Sequence, residues 1–312
     1  MKLIIQIPCY NEADTLPATI ADLPRTIDGV DEIEILVIDD GSTDRTVEVA
    51  RELGVEHIIR LTNNQGLAAA FARGLEMGLQ MGADVIVNTD GDNQYQGACI
   101  RDLVEPILKG EAEMVVGDRQ IHTIQHFSAV KKILQKLGSR IVRRASNTDV
   151  PDATSGFRAF SREAALRLSV FSEYTYTLET IIQAGKKGIP ITSVPVETNE
   201  VLRESRLIRS TFQYVVSSGI TIIRIFLVYE ALRVFLALSV IPLLGGLFLL
   251  GRFAYYFIIG DGSGHIQSLI VATILMVLGF MTILIGLLGD LIARNRRLNE
   301  EINYHLKKML AQ

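Results

Sequence analysis

The chain has 312 residues, 48% of them hydrophobic, with a mean hydropathy of +0.28 and a formal net charge of −4. That hydropathy is high for a protein soluble throughout, and the length suits about two domains or one domain with an appendage. Residues 1–200 hold 20 basic and 29 acidic side chains, which argues against a nucleic-acid partner, whereas residues 201–312 hold 11 basic and 6 acidic ones, a balance suited to anionic headgroups.

In chain order, Leu3–Ile7 reads as a strand closed by Pro8, and it is too short an apolar run for a signal peptide. Cys9 and Cys99 lack metal-ligand spacing and read as reduced thiols in or near a core. Asn11 or Asp14 is placed to cap a helix over about Thr15–Leu23. Ile33–Ile38 is a second strand, and Ser42 or Thr43 after it is placed to cap a helix reaching Leu53. Glu56–Leu61 is a third strand. Leu67 to about Met81 is helical, and Gly66, Ala70, Gly74, Gly78 and Gly82 recur every four residues. Such a small-residue stripe lets a helix lie close on a sheet. Val85–Asn88, a helix over about Ile100–Lys109, and Glu113–Val116 continue the alternation. Strands alternating with helices predict a doubly wound, mostly parallel α/β sheet. Then come a basic helix over about Phe127–Arg144, a strand Phe157–Phe160, helices Ala164–Leu168 and Leu178–Gly185, and extended Ile189–Val196. His122 and His126 are four apart and can share a helix face, but no third metal ligand accompanies them.

The remainder is membrane-like. Residues 205–230 alternate apolar and Arg faces at helical spacing and read as an interfacial amphipathic helix. Residues 234–259 and 266–289 are each nearly all apolar and long enough to cross a bilayer, which takes about 20 residues. Gly260–His265 between them is a turn, so the pair forms a transmembrane hairpin. Arg224 and Arg233 precede it and Arg294, Arg296 and Arg297 follow, while the turn has no Lys or Arg. The positive-inside rule places both termini in the cytoplasm. Gly245-Gly246 and Gly286/Gly289 are small pairs able to pack against copies of the chain. Four segments result: a globular domain 1–204, an interfacial region 205–230, a hairpin region 231–293 and a C-terminal helix 294–312.

The chemistry gathers at strand ends. Val85–Asn88 runs into Asp90-Gly91-Asp92, and residues i and i+2 of an extended chain point the same way. Two converging carboxylates repel unless a cation lies between them, and hard oxygen ligands suit Mg²⁺ or Mn²⁺. Pro8–Glu12 and Asp39–Asp44 punctuate two other strands, and adjacent parallel strands bring such ends to one edge of the sheet. Tyr10 is suited to face a nucleobase and Asp40 to accept from a base N–H. No G-x-G-x-x-G follows the first strand and no phosphate-loop motif occurs, which disfavours dinucleotide binding and P-loop hydrolysis.

Six stretches in order, Ile7–Glu12, Val37–Asp44, Asn64–Leu67, Asp90–Gln94, Val116–Arg119 and Asp152–Arg158, resemble glycosyltransferase family 2. Within it they resemble the dolichyl- or polyprenyl-phosphate sugar transferases. The resemblance covers about residues 1–206. It implies a GT-A, Rossmann-like domain, a nucleotide-sugar donor, a divalent cation and inverting transfer to polyprenyl phosphate. The setting it implies is the cytoplasmic face of the plasma (inner) membrane, in a homo-oligomer such as a tetramer. A UDP-sugar is the favoured donor, with GDP-mannose the alternative. Carried over by position, Pro8, Tyr10, Glu12, Asp39 and Asp40 would hold the nucleoside, and Asp90 would lie by the diphosphate or ribose. Asp92 and Gln94, with Asp90, would bind the metal. Arg119 matches the arginine that meets the acceptor phosphate, and Lys132 falls near a second basic acceptor position. Ser205-Arg206 resembles a Gly-x-Ser-Lys element near the membrane, with Arg203 in place of the glycine and Arg206 in place of the lysine. Asp92 and Arg119 are the expected catalytic pair. Arg158 is read equally as a structural partner or an acceptor ligand. Two other functions are weighed. A polysaccharide synthase is disfavoured because the chain lacks Trp and a Q-x-x-R-W motif. A non-catalytic nucleotide-binding scaffold is disfavoured by the intact Asp90-Gly91-Asp92.

Overall fold

The computed structural model describes residues 1–120, 139–140, 142–143, 146–170, 176–199, 230–260 and 262–311. Contacts divide the chain into two units, Met1–Ser218 with Glu300–Gln312, and Gly219–Asn299.

The first unit holds strands β1 (Lys2–Cys9), β2 (Glu32–Asp39), β3 (His57–Arg60), β4 (Val85–Asn88), β5 (Met114–Asp118), β6 (Arg158–Ser161) and β7 (Ile191–Pro195). Its helices are α1 (Leu16–Asp22), α2 (Thr46–Glu52), α3 (Leu67–Gln80), α4 (Ile100–Leu108), α5 (Arg162–Arg167) and α6 (Thr177–Lys187). The strands form one sheet in the order β3-β2-β1-β4-β6-β5-β7. All neighbours are parallel except β6, which runs antiparallel to β4 and β5. The mostly parallel α/β sheet expected from the sequence is therefore present.

Both faces are covered, which is why β1 reads as a continuous apolar run. Leu3, Ile5 and Ile7 share one core cluster with Leu16, Ile20, Leu103 and Val104 from α1 and α4. The alternate residues face α3. A Cβ added at Gly74 would meet Gln6 and Ile38, and one at Gly78 would lie 2.8 Å from Ile86 Cδ1. The small-residue stripe thus does bring α3 down onto the sheet.

The expected caps are replaced by stitches between loops. Asn11 Oδ1 accepts from the Thr43 and Asp44 N–H groups, and Ser42 Oγ accepts from Asn11 N at 2.8 Å. Neither side chain caps its own helix. An oxygen near several N–H groups satisfies whichever the tertiary structure brings closest.

The second unit contains α7 (Ala231–Ile259) and most of α8, which spans Ile266–Leu310; both are long and apolar enough to cross a membrane. Their glycines face each other's helix. A Cβ at Gly246 would lie 2.9 Å from Met276, one at Gly286 2.9 Å from Phe235, and one at Gly289 2.7 Å from Ala231. Glycines expected to serve contacts between copies are thus taken up within the hairpin.

The helix expected at 294–312 is not separate: α8 continues unbroken through it. In the first unit, its end packs on α5, α6 and the residues between them. Lys187 Nζ pairs with the buried Glu300 at 2.9 Å, Asn303 donates to Ser169 Oγ at 3.0 Å, and Lys307 Nζ donates to the Leu168 carbonyl at 2.7 Å. Arg162 binds the Ala311 carbonyl and, at 3.1 Å, that of Ala83.

Candidate active site

Strand register decides what meets at the site. Cys9 pairs with Asp39 and Gln6 with Asn88, so the loops after β1, β2 and β4 leave along one edge. Arg158 is registered opposite both Asn88 and Val116. Because β6 is antiparallel, its beginning lies where β4 and β5 end. The loop 152–157 and Arg119 therefore join the edge, at the place where open α/β sheets bind ligands.

The Asp90-Gly91-Asp92 turn is pinned from behind. The Gly91 carbonyl accepts from Thr15 Oγ1 at 2.8 Å and Thr19 Oγ1 at 3.1 Å. A Cβ on Gly91 would lie 3.0 Å from Cys9 Sγ, so the turn packs directly on the end of β1. Asp90, Asp92 and Gln94 are partly exposed. Asp92 Oδ1 accepts from Gln94 N at 3.2 Å, which fixes the carboxylate near the amide-bearing residue. The Gln94 carbonyl accepts from Asn199 N at 2.9 Å. Among the described residues no group of three or more His, Cys, Asp or Glu is placed to hold an ion. Two carboxylates and an amide fit a hard cation that completes its shell with phosphate oxygens and water, as Mg²⁺ and Mn²⁺ do.

The first two loops show a division of labour. Tyr10 is 39% exposed, and Pro8 lies inside β1 opposite Ile38. Glu12 is buried and accepts from Thr15 Oγ1 at 2.8 Å. Asp40 is buried, with Oδ1 accepting from Gln65 N at 2.7 Å and Oδ2 from Gly66 N at 2.9 Å. These N–H groups enter α3, so Asp40 fastens the 63–66 loop to the end of β2. Burial pushes its carboxyl up, against the pull of the two N–H groups. Asp39 is fully buried; its Oδ1 accepts from Ser42 N at 3.2 Å. Its Oδ2 has no hydrogen bond among the described residues and lies 3.5 Å from Nε of the exposed Arg60.

Arg119 is 10% exposed and forms a bidentate pair with Asp152: Nε to Oδ2 at 2.7 Å and Nη2 to Oδ1 at 3.1 Å. Nη2 also donates to Thr154 Oγ1 at 2.8 Å. Burial alone would push the Asp152 carboxyl up; the Arg119 charge and hydrogen bonds outweigh this and hold it below the usual range. Arg158 is fully buried and donates to Ser155 O and Thr177 O, both at 2.7 Å, Thr180 Oγ1 at 2.6 Å and Ala153 O at 3.0 Å. Burial lowers it to about 10, still well above neutral. Arg158 is therefore a structural clamp between the 153–155 loop and α6, and the acceptor-ligand alternative falls away.

That clamped loop lies against Asp90. A Cβ on Gly156 would sit 3.2 and 3.3 Å from the two Asp90 carboxylate oxygens and 2.9 Å from Tyr176 Oη. Gly156 N donates to Tyr95 Oη at 3.2 Å, and Asn88 Nδ2 reaches Gly156 O at 2.9 Å and Tyr176 Oη at 3.0 Å. Burial pushes Tyr95 up to about 12. Sequence reasoning missed Tyr95, Tyr176, Asn88 and the pairing of Asp152 with Arg119. Asn88 and Tyr95 flank the Asp90–Gln94 motif and were within reach of it; Tyr176 and Asp152 join from distant positions. Lys132, Ser205 and Arg206, the interfacial segment 205–229, and His122 and His126 lie outside the described residues.

Residues 4–168 match the profile of glycosyl transferase family 2. An undecaprenyl-phosphate mannosyltransferase of Micrococcus luteus is 29% identical over 206 residues, which cover 63% of this chain and 83% of that one. A polyprenol monophosphomannose synthase of Mycolicibacterium smegmatis is 27% identical over 210 residues, covering 64% and 78%. Glucosyl-3-phosphoglycerate synthase from Mycobacterium tuberculosis, solved with Mn²⁺, uridine diphosphate and glucosyl-3-phosphoglycerate, superposes with a TM-score of 0.54. That match covers 71% of this chain and 79% of that one at 22% identity and establishes a shared GT-A fold.

Proposed function

The chain belongs to glycosyl transferase family 2, and on that footing we propose that it is a membrane-bound transferase moving a sugar from a nucleotide-sugar to polyprenyl phosphate. The observation that carries the reading is one edge holding two things at once. The pinned Asp90-Gly91-Asp92 turn supplies carboxylates for a cation, and the oriented Arg119 supplies a donor for a phosphate.

Asp92 and Gln94, with Asp90, would hold Mg²⁺ or Mn²⁺. Bound there, the ion would act as a Lewis acid on the leaving diphosphate. Tyr10, Pro8 and Asp39 form the nucleoside side, with Glu12 and Asp40 shaping its loops. Asp39 Oδ1 is used by Ser42, leaving one acceptor oxygen beside the Arg60 donor. One acceptor and one donor suit the N3–H and a carbonyl of uracil, whereas guanine presents two donors side by side. This favours a UDP-sugar over GDP-mannose.

The acceptor needs no general base. A phosphate monoester is largely dianionic at pH 7, its second pKa being about 6, and it attacks the sugar C1 with inversion. Arg119 keeps Nε and Nη2 on Asp152 and Thr154, so among the described residues Nη1 is the nitrogen left for that phosphate. Lys132 and Arg206 are the further cations assigned to it. Pairing with Asp152 makes Arg119 a positioned donor whose direction is set before the lipid arrives. The Lys and Arg flanking the two apolar runs, read by the positive-inside rule, support a catalytic domain and termini on the cytoplasmic side of the plasma (inner) membrane.

The test is nucleotide release by the detergent-purified full chain. A panel of UDP- and GDP-sugars would be supplied with a short polyprenyl phosphate, with and without EDTA. Release of one nucleotide, dependent on both metal and lipid phosphate and abolished by Asp92→Ala, is expected. Near-normal turnover by Asp92→Ala with metal present would reject the assignment, and release without lipid would point to another acceptor.

A further inference from the structure

The chain beyond β7 closes on the turn that carries Asp92 and Gln94. β7 pairs with β5 as far as Pro195 opposite Asp118, and Val196 N donates to the Asp118 carbonyl at 2.9 Å. Next, Tyr95 bridges Thr198 antiparallel, and Gln96 N donates to the Glu197 carbonyl at 3.4 Å. Asn199 ends this contact with its backbone and side-chain N–H groups engaged on three consecutive carbonyls. Its backbone N donates to Gln94 O at 2.9 Å, and Nδ2 donates to Asn93 O at 3.1 Å and Tyr95 O at 3.3 Å. We propose that Asn199 is a positioning residue for the cation: it fixes the turn from which Asp92 and Gln94 reach the metal.

A strand ladder needs only main-chain groups, and the bond from Asn199 N to Gln94 O is of that kind. The two Nδ2 bonds are additional. Neighbouring carbonyls of a regular strand alternate in direction, so one residue does not meet three in a row. Asn93 breaks the alternation with φ +56°, in the left-handed region. Asparagine is among the few residues that adopt this region at small cost. Carbonyls turned to one side and partly shielded from water need donors to replace their solvation. Asn199 supplies a donor to each, from 106 residues beyond Asn93.

Gln94 is thereby held at both ends of its backbone. Its N–H donates to Asp92 Oδ1 at 3.2 Å, and its carbonyl accepts the Asn199 N–H. The backbone angles fix the direction in which a side chain leaves and the rotamers open to it. Mg²⁺ demands near-ideal octahedral geometry, so a rotated ligand loses affinity. Groups that orient metal ligands without touching the metal typically contribute on the order of 10–100-fold to its binding. This role rests on the reading of Asp92 and Gln94 as cation ligands; it does not depend on which sugar is transferred.

The test reads Mn²⁺ binding by the detergent-purified full chain in the presence of UDP. Loss of the free-ion signal in electron paramagnetic resonance reports it, against a blank of UDP alone. Asn199→Ala keeps the backbone N–H and loses both Nδ2 bonds. Its apparent Kd for Mn²⁺ should rise on the order of tenfold, and excess Mn²⁺ should restore turnover. Asn199→Asp separates position from charge. A carboxylate added near the cation tightens Mn²⁺ by charge alone, whereas loss of the two donors loosens it; loosening is expected. Ser161→Ala removes the cap of α5 and is the control: melting should fall with no change in Kd. Wild-type Mn²⁺ affinity in Asn199→Ala, or tighter binding in Asn199→Asp, would overturn the proposal. So would an equal loss in Ser161→Ala, which would show general destabilisation in place of positioning. Asp92→Ala tells two failures apart. If it binds Mn²⁺ like the wild type, the ligands lie elsewhere and the cation reading falls together with the role of Asn199. If it loses Mn²⁺ while Asn199→Ala retains it, only the role of Asn199 falls.

Discussion

Arg158→Met is the sharpest probe of how the site is held. The side chain is fully buried, and its guanidinium makes four hydrogen bonds, three to carbonyls and one to Thr180. Methionine keeps apolar volume but leaves those acceptors without their donor. Removing a buried charge recovers desolvation energy, while a broken buried network costs about 3–5 kcal/mol net. For a domain of about 200 residues the unfolding entropy is roughly 0.4 kcal/mol/K, so the melting temperature should fall by about 7–12 °C. The chain has no Trp, so the assay is circular dichroism melting of the full chain in detergent. Donor turnover should fall too, because the 153–156 loop that rests on Asp90 loses its clamp. An unchanged melting temperature with a raised KM for polyprenyl phosphate would refute this reasoning, since it would mean that the guanidinium meets the acceptor.

The other predictions follow from contacts around the same loop. Gly156→Ala drives a methyl against Asp90 and Tyr176; overpacking of this kind costs about 1–3 kcal/mol, and turnover should drop at least tenfold with saturating lipid phosphate. Full turnover would show that Asp90 need not stay where it is. Asp152 is held below its unfolded value, so its stabilisation is complete above about pH 4 and is lost as pH falls through the folded value. Melting temperature should therefore fall more steeply below about pH 4 in the wild type than in Asp152→Asn, and parallel curves would contradict the pairing with Arg119. Asp40→Ala removes two acceptors at the entry to α3 and should cost about 1–2 kcal/mol of stability. Lost UDP binding with unchanged melting would instead mark Asp40 as a direct nucleotide ligand.

Much of the fold was legible because its signals are local. Apolar runs of strand length, Gly and Asp punctuation and the four-residue glycine interval in α3 each act within a few residues. They predicted the parallel β1, β2 and β4, their shared edge and the Asp90-Gly91-Asp92 turn on it. The family likeness then supplied a role for that edge. What the sequence could not disclose depends on partners far along the chain. A four-residue strand such as β6 has no direction of its own, and only pairing with β4 and β5 makes it antiparallel. That one reversal carries the 152–157 loop to Asp90 and sets Asp152 beside Arg119, 33 residues away. It also buries Arg158, deciding between two roles that the residue type allows equally. The same holds for Asn11 and Ser42, whose oxygens suit a cap or a stitch, and for the tail of α8, whose two faces differ only once one of them has docked. The sequence by itself determined the elements and the polar ends they carry, because those follow from neighbours in the chain. Tertiary structure decided which charges pair and which are buried, because desolvation and hydrogen bonding depend on what lies across a contact.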